Sequence, residues 1–120
     1  MLAGVLLAAG FTTSACGKDS ACTDASALDS ALSRQMTGGI SGTGAQAVKD
    51  ETRANVWIVA VNLAGPGASG SATFAVNSLT APSQVFSVDA VAKSVSSWPD
   101  GTAQGFSSTD AAVGTATGCL

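Results

Sequence analysis

The stretch that most constrains the fold is Asn55–Leu63, which reads Asn-Val-Trp-Ile-Val-Ala-Val-Asn-Leu. Nearly every position is β-branched, aromatic or otherwise apolar, so a strand formed here would be apolar on almost both faces. That pattern is typical of a strand in the middle of a sheet rather than at its edge. We therefore predict that Asn55–Leu63 is the central strand.

A second strand follows at Ser71–Asn77, where apolar and polar residues alternate. Alternation with a period of two places the apolar side chains on one face, which predicts a half-buried strand. The glycine-rich stretch Gly65–Gly70 lies between the two strands. We predict that it is the loop of a β-hairpin. The apolar positions of the second strand are Ala72, Phe74 and Val76.

This glycine-rich loop also matches the G-x-G-x-x-G spacing of dinucleotide-binding proteins at Gly65, Gly67 and Gly70, and Asp89 lies near the offset of their ribose-binding acid. That fingerprint requires a helix to begin at the last glycine, so that its N-terminus faces the pyrophosphate. The alternation after Gly70 predicts a strand instead. We therefore expect no nucleotide cofactor.

Residues 22–36 carry an apolar stripe at helical spacing, which predicts the first helix. Thr23 is its expected N-cap, and Asp24 in the first turn suits the positive end of the helix dipole. Gly38 and Gly39 are expected to end the helix. The stripe consists of Ala25, Leu28, Leu32 and Met36.

A second helical stripe begins after Gln84–Ser87, which we interpret as a short strand. Ser87 is the expected N-cap of this helix, with Asp89 in its first turn. Pro99–Gly101 is expected to end it as a turn. We expect Trp98 to be buried and to anchor the helix to the sheet, rather than to serve as a platform for a ligand. The stripe consists of Val88, Val91, Ala92, Val95 and Trp98.

Three stretches carry weaker signals. Residues 40–47 contain Gly42 and Gly44 and predict a flexible connection, and the charge cluster at 49–53 predicts a solvated surface. Residues 102–118 are small and polar, which predicts an irregular tail with one turn at 108–112. The predicted fold class is α+β, with a small antiparallel sheet of about three strands packed against two helices, after a cleaved N-terminal signal helix.

The N-terminal segment indicates export. Leu2–Phe11 is an unbroken run of apolar and small residues, long enough for the hydrophobic region of a signal peptide but about half of a membrane-spanning helix. The run ends in small residues before Cys16 and resembles a bacterial lipoprotein signal, in which that cysteine is acylated. The predicted organisation is a signal peptide at 1–15, a lipid-attachment tether at 16–21 and a single domain at 22–120.

Two other interpretations of this segment stay open. Thr13–Ala15 is compatible with the ordinary signal peptidase, which would release a secreted protein without lipid on Cys16. The run is also compatible with a buried apolar terminus. No lysine or arginine precedes Cys16, so we expect the signal to begin upstream of Met1.

The chain contains three cysteines, and in an exported protein thiols are oxidised and remain so. If acylation claims Cys16, the remaining pair is Cys22 and Cys119, one where the domain begins and the other where it ends. We predict a disulfide between them. The rival pairing, Cys16 with Cys22, would close a short loop and compete with acylation.

Taken together, these motifs look like those of small secreted actinobacterial lipoproteins of unassigned function. The features that carry the resemblance are the signal ending at Cys16, the terminal cysteine pair and the stretch Phe86–Gly101, with its helix ending in Ser-x-Trp-x-Asp-Gly. The resemblance implies a lipid-anchored location on the extracytoplasmic face of the cell membrane. It implies no activity.

Composition excludes several classes of function. A net charge of −3 with five basic residues disfavours nucleic-acid binding, which depends on clustered lysine and arginine. The chain has no histidine, so Ser-His-Asp catalysis and imidazole metal ligands are excluded. A pair of catalytic carboxylates is the remaining enzymatic possibility, and no spacing favours a particular pair. The unassigned candidates are Asp24, Asp29, Asp89, Asp100 and Asp110.

We therefore expect a protein without catalytic residues, cofactor or metal. Its predicted partners are the membrane, through the lipid on Cys16, and an envelope protein or polymer held by the domain. The alternative is a carrier or sensor for a small apolar ligand bound between helix and sheet.

Overall fold

A computed structural model describes residues 21–68 and 70–120, which form an α+β fold. Five antiparallel strands make one sheet, and their order in the sheet follows their order in the chain. The signal peptide, Cys16 and most of the predicted tether lie outside the described residues. The strands are β1 (Thr23–Asp24), β2 (Ser41–Lys49), β3 (Trp57–Ala64), β4 (Ser71–Val76) and β5 (Val85–Ser87), and the helices are α1 (Asp29–Ser33), α2 (Ala90–Val95) and α3 (Ala111–Gly118).

The predicted central strand and its hairpin are confirmed. β3 lies between β2 and β4 in the sheet, and its residues 58–61 are buried. β3 and β4 pair as an antiparallel hairpin, with Val59 opposite Phe74. Gly65, Gly67 and Gly70 all have positive φ, which suits a tight loop. The chain continues from this loop directly into β4.

The expectation that β4 is half-buried was wrong, because both of its faces are covered. Phe74 contacts the layer formed by α1 and α2, whereas Ala75 contacts the opposite layer, which includes α3. Residues 72–76 are all buried. The sheet is therefore the middle of three layers, and the α+β domain has an apolar core on each side of it.

The predicted flexible connection at 40–47 is instead part of β2, whose Ala45 and Ala47 are buried against α1. Glycine is required at position 42, because a Cβ there would lie 2.6 Å from Cγ2 of Val61. A bulge between Thr43 and Gln46 interrupts the pairing of β2 with β3. Both features remove the regular alternation that identifies a strand in a sequence.

The predicted first helix is shorter and more irregular than expected. Thr23 lies in β1 and is not an N-cap, and a single 3₁₀ turn at Ser26–Leu28 precedes α1. The Asp29 carboxylate accepts hydrogen bonds from the backbone N–H groups of Gly44 and Ala45, at 3.0 and 3.1 Å. These bonds hold α1 over the bulge of β2. The predicted stripe still faces the core: Ala25, Leu28 and Leu32 are buried, and Met36 is half-buried.

The second helix forms as predicted, with corrections at both ends. Its N-cap is Asp89, which accepts a hydrogen bond from the N–H of Ala92 at 2.8 Å, whereas Ser87 belongs to β5. The predicted stripe does not lie on one face of the fold. Val88 packs on the α3 side of the sheet, and Val91 is exposed. Ala92, Val95 and Trp98 pack on the α1 side.

Trp98 is half-buried rather than fully buried, and it joins the two helices of one layer. Its indole Nε1 donates a hydrogen bond to the carbonyl oxygen of Leu32 in α1, at 3.0 Å. The segments that follow these helices are also linked, because the N–H of Thr37 donates to the carbonyl of Val95 and that of Ser97 to Gln35. Trp98 packs against the core cluster on this side of the sheet, but its hydrogen bond joins it to α1 rather than to the sheet to which the prediction anchors it.

α3 was not predicted, because residues 102–118 show small and polar side chains without a clear stripe. Only Val113 and Ala116 of this helix are buried, and both lie against the sheet. The preceding turn is a second 3₁₀ segment at Gly101–Gln104, begun by Asp100. The predicted turn Pro99–Gly101 overlaps this segment only at Gly101, and α2 ends earlier than expected, at Val95.

The predicted disulfide is present between Cys22 and Cys119, whose Cα atoms are 5.8 Å apart. The two residues are 97 positions apart in the sequence. The bond joins the segment that enters β1 to the end of α3, and Cys119 is completely buried. It therefore ties the first and last elements of the described fold together.

One buried hydroxyl gives a testable prediction. Thr73 in β4 is fully buried, and its Oγ1 has no hydrogen-bond partner among the described residues. A buried polar group without a partner costs about 1–3 kcal/mol. Replacing Thr73 with valine should therefore raise the free energy of unfolding by about 1 kcal/mol, measured by urea titration. The control Thr73→Ser retains the hydroxyl and should not be stabilising; a stabilised serine variant would contradict this explanation.

Candidate binding cleft

A cleft of about 310 Å³ lies where the turn between β2 and β3 meets the start of α3. One wall is formed by residues 48–53, and the other by residues 110–112 with Thr115. Ala21, next to the disulfide, completes the rim. The cleft therefore combines carboxylate, hydroxyl and guanidinium groups with an apolar surface that includes Val48 and the alanines.

Asp50 organises the first wall. It is only 8% exposed, and its carboxylate accepts hydrogen bonds from the backbone N–H and the hydroxyl of Thr52, both at 2.8 Å. The guanidinium Nη1 of Arg53 donates a third bond, at 3.0 Å. Burial alone raises the pKa of Asp50, but the bonds from Thr52 and Arg53 outweigh it and hold the pKa below its ordinary value.

Arg53 connects this wall to a distant loop. Its Nη2 donates to the carbonyl oxygen of Gly105 at 2.9 Å, and its guanidinium carbon lies 4.1 Å from the centre of the Phe106 ring. A second, smaller hollow, of about 230 Å³, lies on the far side of Arg53 and is lined by Phe86 and Phe106 among others. The sequence predicts a solvated surface for the charge cluster at 49–53. In the structure, Asp50 and Arg53 of this cluster make structural contacts instead.

The Asp50 network predicts a pH-dependent stability. Because the pKa of Asp50 is lowered on folding, its contribution is fully present above the unfolded value of about 4 and is lost as the pH falls through the folded value. Asp50→Asn should lower the free energy of unfolding by about 1–3 kcal/mol at pH 6, and the difference from the parent should shrink below pH 4. Urea titrations of the parent and the variant at pH 6 and below pH 4 measure this difference in the free energy of unfolding. The matched control is Glu51→Gln, an exposed neighbour that should change little; a deficit independent of pH would contradict the assignment.

The candidate catalytic carboxylates all have structural partners. Each aspartate of the described residues accepts a hydrogen bond from a backbone N–H group, as in helix caps and tight turns. Asp100 illustrates the effect, because bonds from Thr102, with a smaller contribution from Lys93, lower its pKa to about 2. The N–H donors are Ser26 for Asp24, Gly44 and Ala45 for Asp29, Thr52 for Asp50, Thr73 and Ala92 for Asp89, Thr102 for Asp100 and Ser107 for Asp110.

The structure brings some of the predicted site residues close to the cleft. Cys22 adjoins its rim at Ala21, and Cys119 ends the helix that forms one wall. Trp98 lies on the opposite side of the sheet. Cys16, the predicted lipidation site, lies outside the described residues.

Sequence reasoning missed the part played by Asp50 and Arg53. The pattern Asp50-Glu-Thr52 is typical of a turn closed by an aspartate side chain, and this local signal was available. The bond from Arg53 to Gly105 joins residues 52 positions apart, and no local pattern indicates such a contact.

The chain was compared with known proteins. No protein family, curated protein or solved structure matches it. Among residues 21–68 and 70–120 there is no group of three or more cysteine, aspartate or glutamate side chains arranged to hold a metal ion. In the same part of the chain, no helix has the length and hydrophobicity needed to cross a bilayer.

Proposed function

We propose that this protein is a non-catalytic binding module outside the cytoplasmic membrane, anchored by a lipid on Cys16. The observation that carries the proposal is the disulfide between Cys22 and Cys119, because such bonds form and persist in oxidising compartments. It uses two of the three cysteines and leaves Cys16 for acylation. The apolar run at 2–11 supports the same location.

The position of the cleft supports a role at the membrane surface. Ala21 is part of the cleft rim, and five residue steps separate it from Cys16. A fully extended chain of that length reaches at most about 18 Å. A lipid on Cys16 would therefore keep the cleft close to the bilayer, where it would meet envelope proteins or polymers.

Packing favours this proposal over a carrier of apolar ligands. A carrier would need space between the helices and the sheet, yet Leu28, Leu32 and Phe74 fill that layer on one side and are completely buried. Val113 and Ala116 pack against the sheet on the other side. The cleft, by contrast, is open and has charged groups at its rim, which suits a polar or peptide-like partner.

The structural use of the aspartates supports the absence of catalysis. General acid–base chemistry needs a carboxyl group that is available to a substrate. Asp29 and Asp89 each accept two backbone hydrogen bonds, and Asp50 is buried in its own network. Their common role is to hold turns and helix ends.

Metabolic labelling tests the anchor. Cells given a clickable fatty acid should label the parent protein and a Cys22→Ser variant, but not a Cys16→Ser variant. Cys22→Ser is the matched control, because it also removes one cysteine. A labelled Cys16→Ser protein, or an unlabelled parent, would contradict lipidation of Cys16.

Site-specific photo-crosslinking in intact cells tests the cleft. A photoreactive residue at Thr52, exposed on the cleft wall, should give a discrete crosslinked product. The same residue at Thr43, exposed at the other end of β2, is the control and should not give that product. Equal crosslinking from the two positions, or none from Thr52, would contradict the cleft as the binding surface.

A further inference from the structure

Half of the residues of α3 form helices poorly. The eight residues Ala111–Gly118 include two glycines and two threonines. Each interior glycine disfavours a helix by a factor of about five relative to alanine, and β-branched threonine also disfavours it. A helix this short is unstable in isolation. The folded state of α3 therefore depends on what attaches it to the sheet.

Few side chains provide that attachment. Val113 and Ala116 are the only buried residues within the helix, and they belong to the core cluster that includes Ile58 and Ala75 of the sheet. By comparison, the α1–α2 layer on the other face of the sheet packs through larger side chains, among them Leu28, Leu32 and Phe74. Burial of one valine and one alanine, with partial burial of Ala112 and of Leu120 just past the helix end, is a small apolar contribution for a whole helix.

The disulfide attaches the end of α3 covalently. Cys119 follows the last residue of α3, and its bond to Cys22 fixes the end of the helix beside β1. Cys119 is completely buried, whereas Cys22 is partly exposed. Cys22 is therefore the more exposed residue of the bonded pair.

We propose that α3 is a redox-sensitive cover on the sheet, which the Cys22–Cys119 bond holds closed and which its reduction releases while β3, β4 and the α1–α2 layer remain folded. A dithiol reductant is the co-reactant. Its thiolate attacks Sγ of Cys22, and Cys119 leaves as a thiolate that takes up a proton. The second thiol of the reductant then displaces Cys22, so that two electrons pass to the protein and the reductant becomes a disulfide.

Release of α3 would have two structural consequences. Ile58 and Ala75 would lose the part of their cover that α3 provides. The cleft would lose the wall formed by Ala111, Ala112 and Thr115. Control of binding by redox state rests on the proposed function of the cleft, whereas the release of α3 does not.

Hydrogen exchange with mass spectrometry tests the release in the mature protein, at low temperature, with and without a dithiol. After reduction, amides of 111–118 should exchange at least tenfold faster than those of β3 and β4; in the oxidised protein both regions should be protected. A Cys22→Ala/Cys119→Ala variant should behave as the reduced protein does. Equal protection of α3 and β3 after reduction would overturn the proposal, as would simultaneous loss of protection throughout the domain.

Gly114→Ala is a second, independent variant. A Cβ at position 114 would meet no atom within 4 Å, so alanine fits and should stabilise only the helix. In the oxidised protein, where α3 is closed and exchanges only through transient opening, it should slow exchange of α3 about fivefold and leave β3 unchanged. An unchanged exchange rate in α3 would contradict a local opening of the helix. Neither readout depends on the anchor or on a ligand, so a failure here is distinct from a failure of the proposed function.

Discussion

Removing the Cys22–Cys119 disulfide should lower the free energy of unfolding by about 4–5 kcal/mol. The bond closes a loop with a sequence separation of 97, and the entropy that it removes from the unfolded chain grows with loop length. Domains of this size are stable by about 5–15 kcal/mol in total. The loss would therefore leave the domain marginal, and urea titration of Cys22→Ala/Cys119→Ala against the parent measures it.

The control for this prediction is chemical rather than mutational. The parent protein treated with a reductant should approach the stability of the double-alanine variant, and the same reductant should not affect that variant. A double variant within about 1 kcal/mol of the oxidised parent would mean that the disulfide does not stabilise the domain.

Trp98→Ala should lower the free energy of unfolding by about 3 kcal/mol, near the lower end of the range for large aromatic residues because the indole is half-buried. The variant loses contacts with the α1–α2 layer and leaves the Leu32 carbonyl without its indole donor. That carbonyl lies in the last turn of α1, where carbonyl groups lack partners within the helix. The two helices of this layer should therefore loosen together.

Trp98→Phe separates the contribution of aromatic packing from that of the indole hydrogen bond. It keeps an aromatic ring but removes the N–H donor, so it should cost about 1 kcal/mol relative to the parent. Urea titration of the three proteins measures both steps. A loss of less than 1 kcal/mol in the alanine variant would show that the indole does not anchor the helix, and the ligand-platform interpretation of Trp98 would regain support.

The parts of the fold that could be predicted are those with large side chains at regular spacing. Asn55–Leu63 identifies β3 because its β-branched and aromatic residues suit a buried strand. The alternation around Phe74 identifies β4, although it does not show that small residues such as Ala75 are buried as well. Periodicity reports apolar character, and alanine contributes little to that signal.

The parts that could not be predicted depend on small residues and on distant contacts. Gly42 in β2 looks like a feature of a loop, yet its lack of a side chain is what allows the close approach of Val61. α3 consists of alanine, glycine, threonine and one valine, so no stripe separates it from an irregular tail. The cleft was missed for a related reason. Its two walls, residues 48–53 and the start of α3, are far apart in the sequence and meet only in the folded chain.

One measurement tests the central claim, that an exported domain is anchored at Cys16 and closed by a disulfide between its ends. The mature protein is isolated from cells under non-reducing conditions, digested and mapped by mass spectrometry. We predict an N-terminal peptide beginning at acylated Cys16 and a linked pair of peptides containing Cys22 and Cys119. A linked pair that contains Cys16, or free thiols at both Cys22 and Cys119, would contradict the claim.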